Sequence, residues 1–174
     1  ATAAAEEALA LQRKLLKPDH PLIADAAAML AYWSIQSGKY EKAEPLLTEC
    51  LAIREKTAGK DHPDYASALT LLAGVQLELG RSSESRETAR TAREILQANF
   101  AADHWRVAAA ANVEGGALTE QGKYEEAERL LLDTDGILAN APMPGVAERS
   151  RQRLARLYTA WGKNELAAQY RAQE

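Results

Sequence analysis

One spacing recurs through this chain and constrains its fold more than any other feature. A step of 42 residues separates His20 from His62 and His62 from His104. The same step separates Gly38, Gly80 and Gly122. A fixed period of this length is the signature of a solenoid, in which helical hairpins stack one on the next. The spacing therefore predicts an all-α fold.

The composition agrees with helices that pack closely. Of 174 residues, 47% are hydrophobic, which is enough for a sizeable core, whereas only 6% are aromatic. Alanine is abundant, and small side chains suit close contact between helices. No stretch shows the alternation that is typical of β-strands.

The charge and the single cysteine exclude several classes of function. The net charge is −4 and the pI is near 5.5, whereas a general binder of nucleic acid or of a membrane surface needs a basic face. No apolar run approaches the roughly 20 residues that span a bilayer. Cys50 alone cannot form an intramolecular disulfide, which fits a reducing compartment. We expect a cytoplasmic protein without nucleic-acid or membrane partners.

Prolines, glycines and Asp-His-Pro segments mark where one helix ends and the next begins, and so divide the chain into units. The predicted units are a half repeat at 1–19, repeats at 20–61, 62–103 and 104–144, and a short closing repeat at 145–174. Helical patterns cover residues 2–16, 21–37, 40–57, 63–79, 82–100, 104–121, 124–139, 146–161 and 163–171. Because Ala1 aligns with Ala43 by the same step, we expect a single domain, 1–174, that is a fragment of a longer protein.

The repeated segments resemble a known family. They read Gly-Lys-Tyr-Glu-Lys-Ala-Glu-Pro-Leu at 38–46, Ala-Ile-Arg-Glu-Lys at 52–56, Gly-Lys-Asp-His-Pro at 59–63 and Gly-Lys-Tyr-Glu-Glu-Ala-Glu at 122–128. These are similar to the consensus of the tetratricopeptide repeat (TPR) family, in its 42-residue kinesin-light-chain type. The resemblance covers essentially the whole chain. It implies a right-handed α-solenoid of antiparallel helix hairpins that acts as a non-catalytic scaffold and binds a partner peptide in its concave groove.

The C-terminal stretch 157–172 resembles the end of TPR arrays that follow bacterial serine/threonine kinase domains. This second resemblance implies a different function, a regulatory or self-associating appendage of an upstream catalytic domain. A third possibility is a small-molecule sensor that uses the groove between the second and third units.

The resemblance to the TPR family places a set of side chains from the first helices of the units in the groove. The candidate residues are Met29, Tyr32, Gln36, Thr70, Glu78, Asn112, Glu120, Arg149, Gln152, Arg153 and Arg156. Of the asparagines that kinesin light chains commonly present there, this sequence keeps only Asn112.

Three of these candidates form a basic stripe. Arg149, Arg153 and Arg156 lie at i, i+4 and i+7, so they share one helical face, and guanidinium groups bind carboxylates bidentately. We expect this end of the groove to receive an acidic side chain or a free C-terminus of a partner. The alternative is a solvated basic face, paired with Glu120 and Glu148.

Two stretches depart from the repeat pattern. Glu114 stands where the family has leucine and is followed by two glycines, which predicts a degenerate or locally loosened third unit. The alternative is that Glu114 contacts a ligand. The arginines of the stretch 82–100 are expected to form a solvated face, paired with Glu84, Glu87 and Glu94.

The sequence offers no catalytic, cofactor or metal site. Equivalent positions of stacked helices are separated by about 8–10 Å, whereas zinc ligands all lie about 2 Å from the metal. We therefore expect the three histidines to cap or pack helices, and Cys50 to be a buried thiol. No phosphate-binding loop or nucleophile–base pair is recognisable. The chain is not expected to be an enzyme.

Overall fold

The computed structural model describes residues 2–171, and the predicted all-α solenoid is confirmed there. Ala1 and residues 172–174, which belong to the predicted half repeat and closing repeat, lie outside the described residues. The helices are α1 (Thr2–Leu15), α2 (Pro21–Gln36), α3 (Tyr40–Ala58), α4 (Pro63–Glu78), α5 (Ser82–Asn99), α6 (Trp105–Glu120), α7 (Tyr124–Leu138), α8 (Val146–Ala160) and α9 (Asn164–Arg171). Each begins and ends within two residues of its predicted bounds. None of the helices in residues 2–171 is long and apolar enough to cross a membrane.

The repeated histidines start the first helix of each full unit. Nδ1 of His20, His62 and His104 accepts a hydrogen bond from the backbone N–H two residues further on, at 3.1–3.2 Å. An N-cap of this kind satisfies one of the donors that a helix start leaves without a partner. The structure thus gives these residues the capping role that the sequence predicts.

The helices pack as sequential hairpins. Each helix contacts the next along the chain, and α2, α4, α6 and α8 also contact one another in that order. Within the first hairpin the chain reverses at Gly38, whose φ of +67° is easily adopted only by glycine. As a result, the first helices of the units lie side by side and form one face.

The third unit is closely packed around α6, so the prediction that it is loosened is wrong. Residues 111–119 of α6 are all buried. A Cβ on Gly115 would lie 2.8 Å from Cγ of Leu131, and one on Gly116 would lie 2.8 Å from Cδ2 of Leu77. The glycines are therefore the residues that let α6 approach its neighbours closely.

Glu114 is buried because it has a partner on the preceding helix. Its carboxylate lies 2.9 Å from Nη2 of Arg93, and the side chain of Glu114 is only 7% exposed. The expectation of a fully solvated arginine face on α5 is thus wrong at Arg93. It holds at Arg90, which is exposed and lies 3.5 Å from Glu94.

Cys50 is fully buried in the core formed by α1 to α4. Burial raises the pKa of this thiol from its ordinary value of 9.0 to about 11. Since the thiolate is the reactive form, native Cys50 is an inert core residue at neutral pH.

Raising the pH from 8 to 10 should destabilise the native chain more than a Cys50→Ala variant. The unfolded chain releases the thiol proton near its ordinary pKa, whereas the folded chain holds it until about pH 11. The contribution of the raised pKa is therefore complete below the ordinary pKa and is lost as the pH rises toward 11. At pH 10 the difference should be about 1–2 kcal/mol. Urea unfolding at both pH values measures it, and equal losses in the two proteins would contradict it.

Candidate binding site on the concave face

A cavity opens in the face formed by the first helices of the four units. It has a volume of about 860 Å³, counted with the part that opens to solvent. Its apolar wall includes Ile35, Leu71, Val113, Leu138, Met143 and Val146. Small side chains on α4 and α6, among them Ser67, Gly74 and Ala109, leave the space empty.

Four residues span the cavity and join the first unit to the last. The hydroxyl of Tyr32 donates to the carbonyl of Pro144, and Nε2 of Gln36 donates to the same carbonyl at 2.9 Å. Nη1 of Arg149 donates to Oε1 of Gln36 at 2.7 Å, and its guanidinium lies 5.9 Å from the centre of the Tyr32 ring. We call Tyr32, Gln36, Pro144 and Arg149 the groove bridge.

Arg156, one turn from the C-terminal end of α8, makes a second contact across the groove. Its Nη1 donates to both carboxylate oxygens of Glu78, at 3.0 Å each. The pairing with Glu120 or Glu148 that the sequence suggested is therefore not the one formed, because the packing of α8 brings Arg156 beside the end of α4.

Arg153 is the buried member of the basic stripe. The residue is 9% exposed, and its Nη1 donates to Oδ1 of Asn112 at 2.8 Å. Burial lowers the pKa of Arg153 to about 10, and repulsion from Arg149 acts in the same direction. The chain thus holds a guanidinium in the wall of an apolar cavity.

Asn112 uses its whole amide inside the protein. Its Nδ2 donates to the hydroxyls of Thr134 at 2.9 Å and Ser150 at 3.1 Å, and its Oδ1 accepts from Arg153. Ser150 in turn donates to Asp135 at 2.7 Å. Asn112 has no exposed surface, so in this structure it positions Arg153 and does not reach the groove.

The structure divides the other candidate residues between the cavity and its surroundings. Those on the cavity wall are Tyr32, Thr70, Glu78, Arg149 and Arg153. Gln36 and Arg156 reach the wall through their hydrogen bonds to Arg149 and Glu78. Met29 and Glu120 are exposed, and Gln152 donates to Glu148 at 3.2 Å, so these three lie apart from the cavity.

Several wall residues were not among the candidates. Tyr40 comes from a second helix, Trp105 from the start of α6, and Met143 from the connector between α7 and α8. The connector does carry a signal, because residues 140–145 are the only Pro/Gly-rich link in the sequence. That signal marks a break between helices and does not reveal that the link folds toward α2.

The positions of the potential metal-ligating side chains decide whether the fold can hold a metal ion. Across residues 2–171, no group of three or more His, Cys, Asp or Glu side chains is placed to hold a metal ion.

Stacked hairpins with a continuous face of first helices define an α-solenoid of the helical-repeat class. The chain belongs to the tetratricopeptide repeat family, whose model matches residues 1–56 and 25–98. Domains of this family typically bind other proteins and are typically non-catalytic. No curated protein matches the chain.

Solved structures extend the likeness over almost the whole chain. Two crystal structures of nearly identical TPR-like repeats from a kinesin light chain of Podosopora anserina, one of a point-substituted form, are each 25% identical to it. They have TM-scores of 0.71 and 0.69, and each alignment covers 99% of this chain and 82% of the other. BtubC (BKLC) from P. vanneervenii has the same fold, with 20% identity, a TM-score of 0.69, and coverage of 98% and 72%.

Proposed function

We propose that this chain is a non-catalytic scaffold that binds a peptide or an extended segment of a partner protein in its concave groove. The observation that carries the proposal is the wall of that groove, which combines an apolar surface with arginines from α8. Membership of a family that typically binds proteins supports the same conclusion.

The partner segment should be acidic or should end in a free carboxylate. Arg149 is half-buried at the mouth of the cavity, where it contacts the neutral amide of Gln36 and the ring of Tyr32. A guanidinium held in this way can exchange an amide oxygen for a carboxylate and gain an ion pair. Arg156 is 52% exposed and could contribute from the other side of the groove.

Reversing the charge of both Arg149 and Arg156 to glutamate should weaken partner binding at least about tenfold. Peptides selected from a random display library on the native chain would serve as ligands, and fluorescence anisotropy would measure their affinity. Arg129→Glu is the matched control, because Arg129 is an exposed arginine on α7 outside the cavity. Unchanged affinity in the double variant, or an equal loss in the control, would remove the proposal.

A second candidate function is a regulatory or self-associating appendage of a catalytic domain, kinase-like by the resemblance of the C-terminal stretch. The specific observation that favours it is a set of exposed apolar side chains on α1 and α2. They are Leu11, Leu15, Leu22, Met29 and Trp33, between 37% and 72% exposed. Scattered apolar residues are ordinary on a surface, but five large ones on two adjacent helices suit a protein contact.

Light scattering after size exclusion should show a dimer if these side chains mediate self-association. Leu15→Glu combined with Leu22→Glu should return the chain to a monomer, because each change places a charge in an apolar contact. A native chain that remains monomeric at about 100 μM, a concentration at which a Kd in the micromolar range would be evident, would exclude self-association through this surface.

A further inference from the structure

The cavity wall carries more positive charge than its own acidic groups balance. Three arginines and one glutamate line it. Glu78 is already engaged by Arg156, and Arg106 lies 3.3 Å from Asp64. Among residues 2–171, Arg149 and Arg153 have no carboxylate within ion-pair distance. These two cations of the wall are therefore left without an anionic partner.

The environment of Arg153 makes this imbalance significant. Charged groups that leave water are normally paired, because their desolvation is costly and only an opposite charge or several hydrogen bonds offsets it. Here Asn112 supplies one neutral acceptor at 2.8 Å, and Nε of Arg153 is buried without any hydrogen-bond partner. The guanidinium has unused capacity to bind an anion.

Nε of Arg153 packs near Gly116, whereas its Nη2 lies toward the cavity. A Cβ on Gly74 would lie 3.9 Å from Nη2 of Arg153, and both residues line the cavity. Arg149 lies one turn earlier on α8, and residues at i and i+4 of a helix are neighbours with Cβ atoms about 5–6 Å apart. The two guanidinium groups can therefore contact one small anion.

The rest of the wall fits an apolar body better than a polar one. Beside the aliphatic side chains, Thr70 and Ser67 donate their hydroxyls to carbonyls of their own helix at 3.0 and 2.9 Å. Each hydroxyl has therefore used its only hydrogen and offers the cavity acceptor lone pairs alone. A bound sugar or nucleotide would leave most of its polar groups unsatisfied against such a wall.

We infer that this cavity is a binding site for a small organic carboxylate, an acid with an aliphatic or aromatic body. The carboxylate contacts Arg149 and Arg153, and the apolar body packs against Leu71, Val113 and Val146. Two members of the groove bridge, Tyr32 and Arg149, line the site. This site goes beyond the proposed binding of a partner segment and does not depend on it.

Calorimetric titration of the 174-residue chain with octanoate and with 4-phenylbutanoate tests the inference. Octanamide and 4-phenylbutanamide are matched probes that keep the apolar body and remove the charge. We expect the acids to bind and the amides to bind at least about tenfold more weakly, since the amides cannot form ion pairs with the two guanidinium groups. Arg153→Gln and Arg149→Gln should each weaken binding of the acids more than binding of the amides, whereas Arg129→Gln should change neither.

Several results would overturn the site. They are equal affinity for acid and amide, no binding of either acid, or native affinity for the acids in both the Arg149→Gln and Arg153→Gln variants. If circular dichroism shows that Arg153→Gln does not fold, the site is still tested by Arg149→Gln and by the comparison of acid with amide on the native chain.

The same titrations separate this inference from the proposed function. If library peptides bind the native chain and neither acid does, the small-molecule site is contradicted and the scaffold proposal stands. If the acids bind and no peptide can be selected, the scaffold proposal is contradicted and the small-molecule site stands.

Discussion

Replacing Asn112 by leucine should lower the free energy of unfolding by about 3 kcal/mol, because the buried charge of Arg153 loses its hydrogen-bond acceptor. Leucine has the branched shape of asparagine, with methyl groups in place of Oδ1 and Nδ2, but cannot accept the hydrogen bond that Nη1 of Arg153 donates. Thr134 and Ser150 lose less, since each loses only a hydrogen bond that it accepts and still donates its own hydrogen, Thr134 to Leu130 and Ser150 to Asp135. Most of the loss should therefore come from Arg153.

A double-mutant cycle with Arg153→Met isolates that contribution. Removing both partners replaces a polar pair with apolar groups, which is often nearly neutral in a core. The Asn112→Leu, Arg153→Met protein should thus be more stable than Asn112→Leu alone. Chemical denaturation of the four proteins gives the coupling energy. Simple additivity of the two single changes would show that Asn112 does not support Arg153.

Gly115→Ala should lower the free energy of unfolding by about 2 kcal/mol, which is the second large effect that we predict. Alanine favours a helix over glycine by about 1 kcal/mol, but its Cβ would lie 2.8 and 2.9 Å from Cγ and Cδ2 of Leu131. Leu131 is fully buried and cannot move aside, so α6 and α7 must separate. Overpacking of this kind costs about 1–3 kcal/mol, more when backbones shift.

Gly136→Ala is the matched control for Gly115→Ala. Gly136 lies inside α7, and a Cβ there would meet nothing within 4 Å. The same substitution should then stabilise the protein by roughly 0.5–1 kcal/mol through helix propensity alone. Thermal or urea unfolding should move in opposite directions for the two variants. A shift in the same direction would mean that contact with Leu131 is not what requires Gly115.

The helices could be predicted closely because their limits are set by local chemistry. A histidine followed by a helix start, or a glycine at a helix end, acts within a few residues, and the period of 42 repeats the signal. Even the short α9 lies within one residue of its predicted start. The predicted fold class needed no knowledge of contacts between distant units.

The site could be predicted only in part, because its geometry depends on contacts between distant units. Arg149 and Arg153 were placed correctly on one face of α8, yet the ion pair of Arg156 with Glu78 joins residues 78 positions apart. The burial of Asn112 follows from how closely α6, α7 and α8 meet, which depends on Gly115 and Gly116. A consensus position gives the face of a helix but not the depth at which its side chain lies.

The groove bridge also bears on how the chain folds. In an open solenoid each repeat contacts only its neighbours, so unfolding can begin at one end and stop between repeats. Here the hydrogen bond from Arg149 to Gln36 connects positions 113 residues apart, which ties the first full unit to the last. Loss of either end removes contacts that the other end uses. Folding should accordingly be more cooperative than in an open array of equal length, and slower, because a long loop must close first.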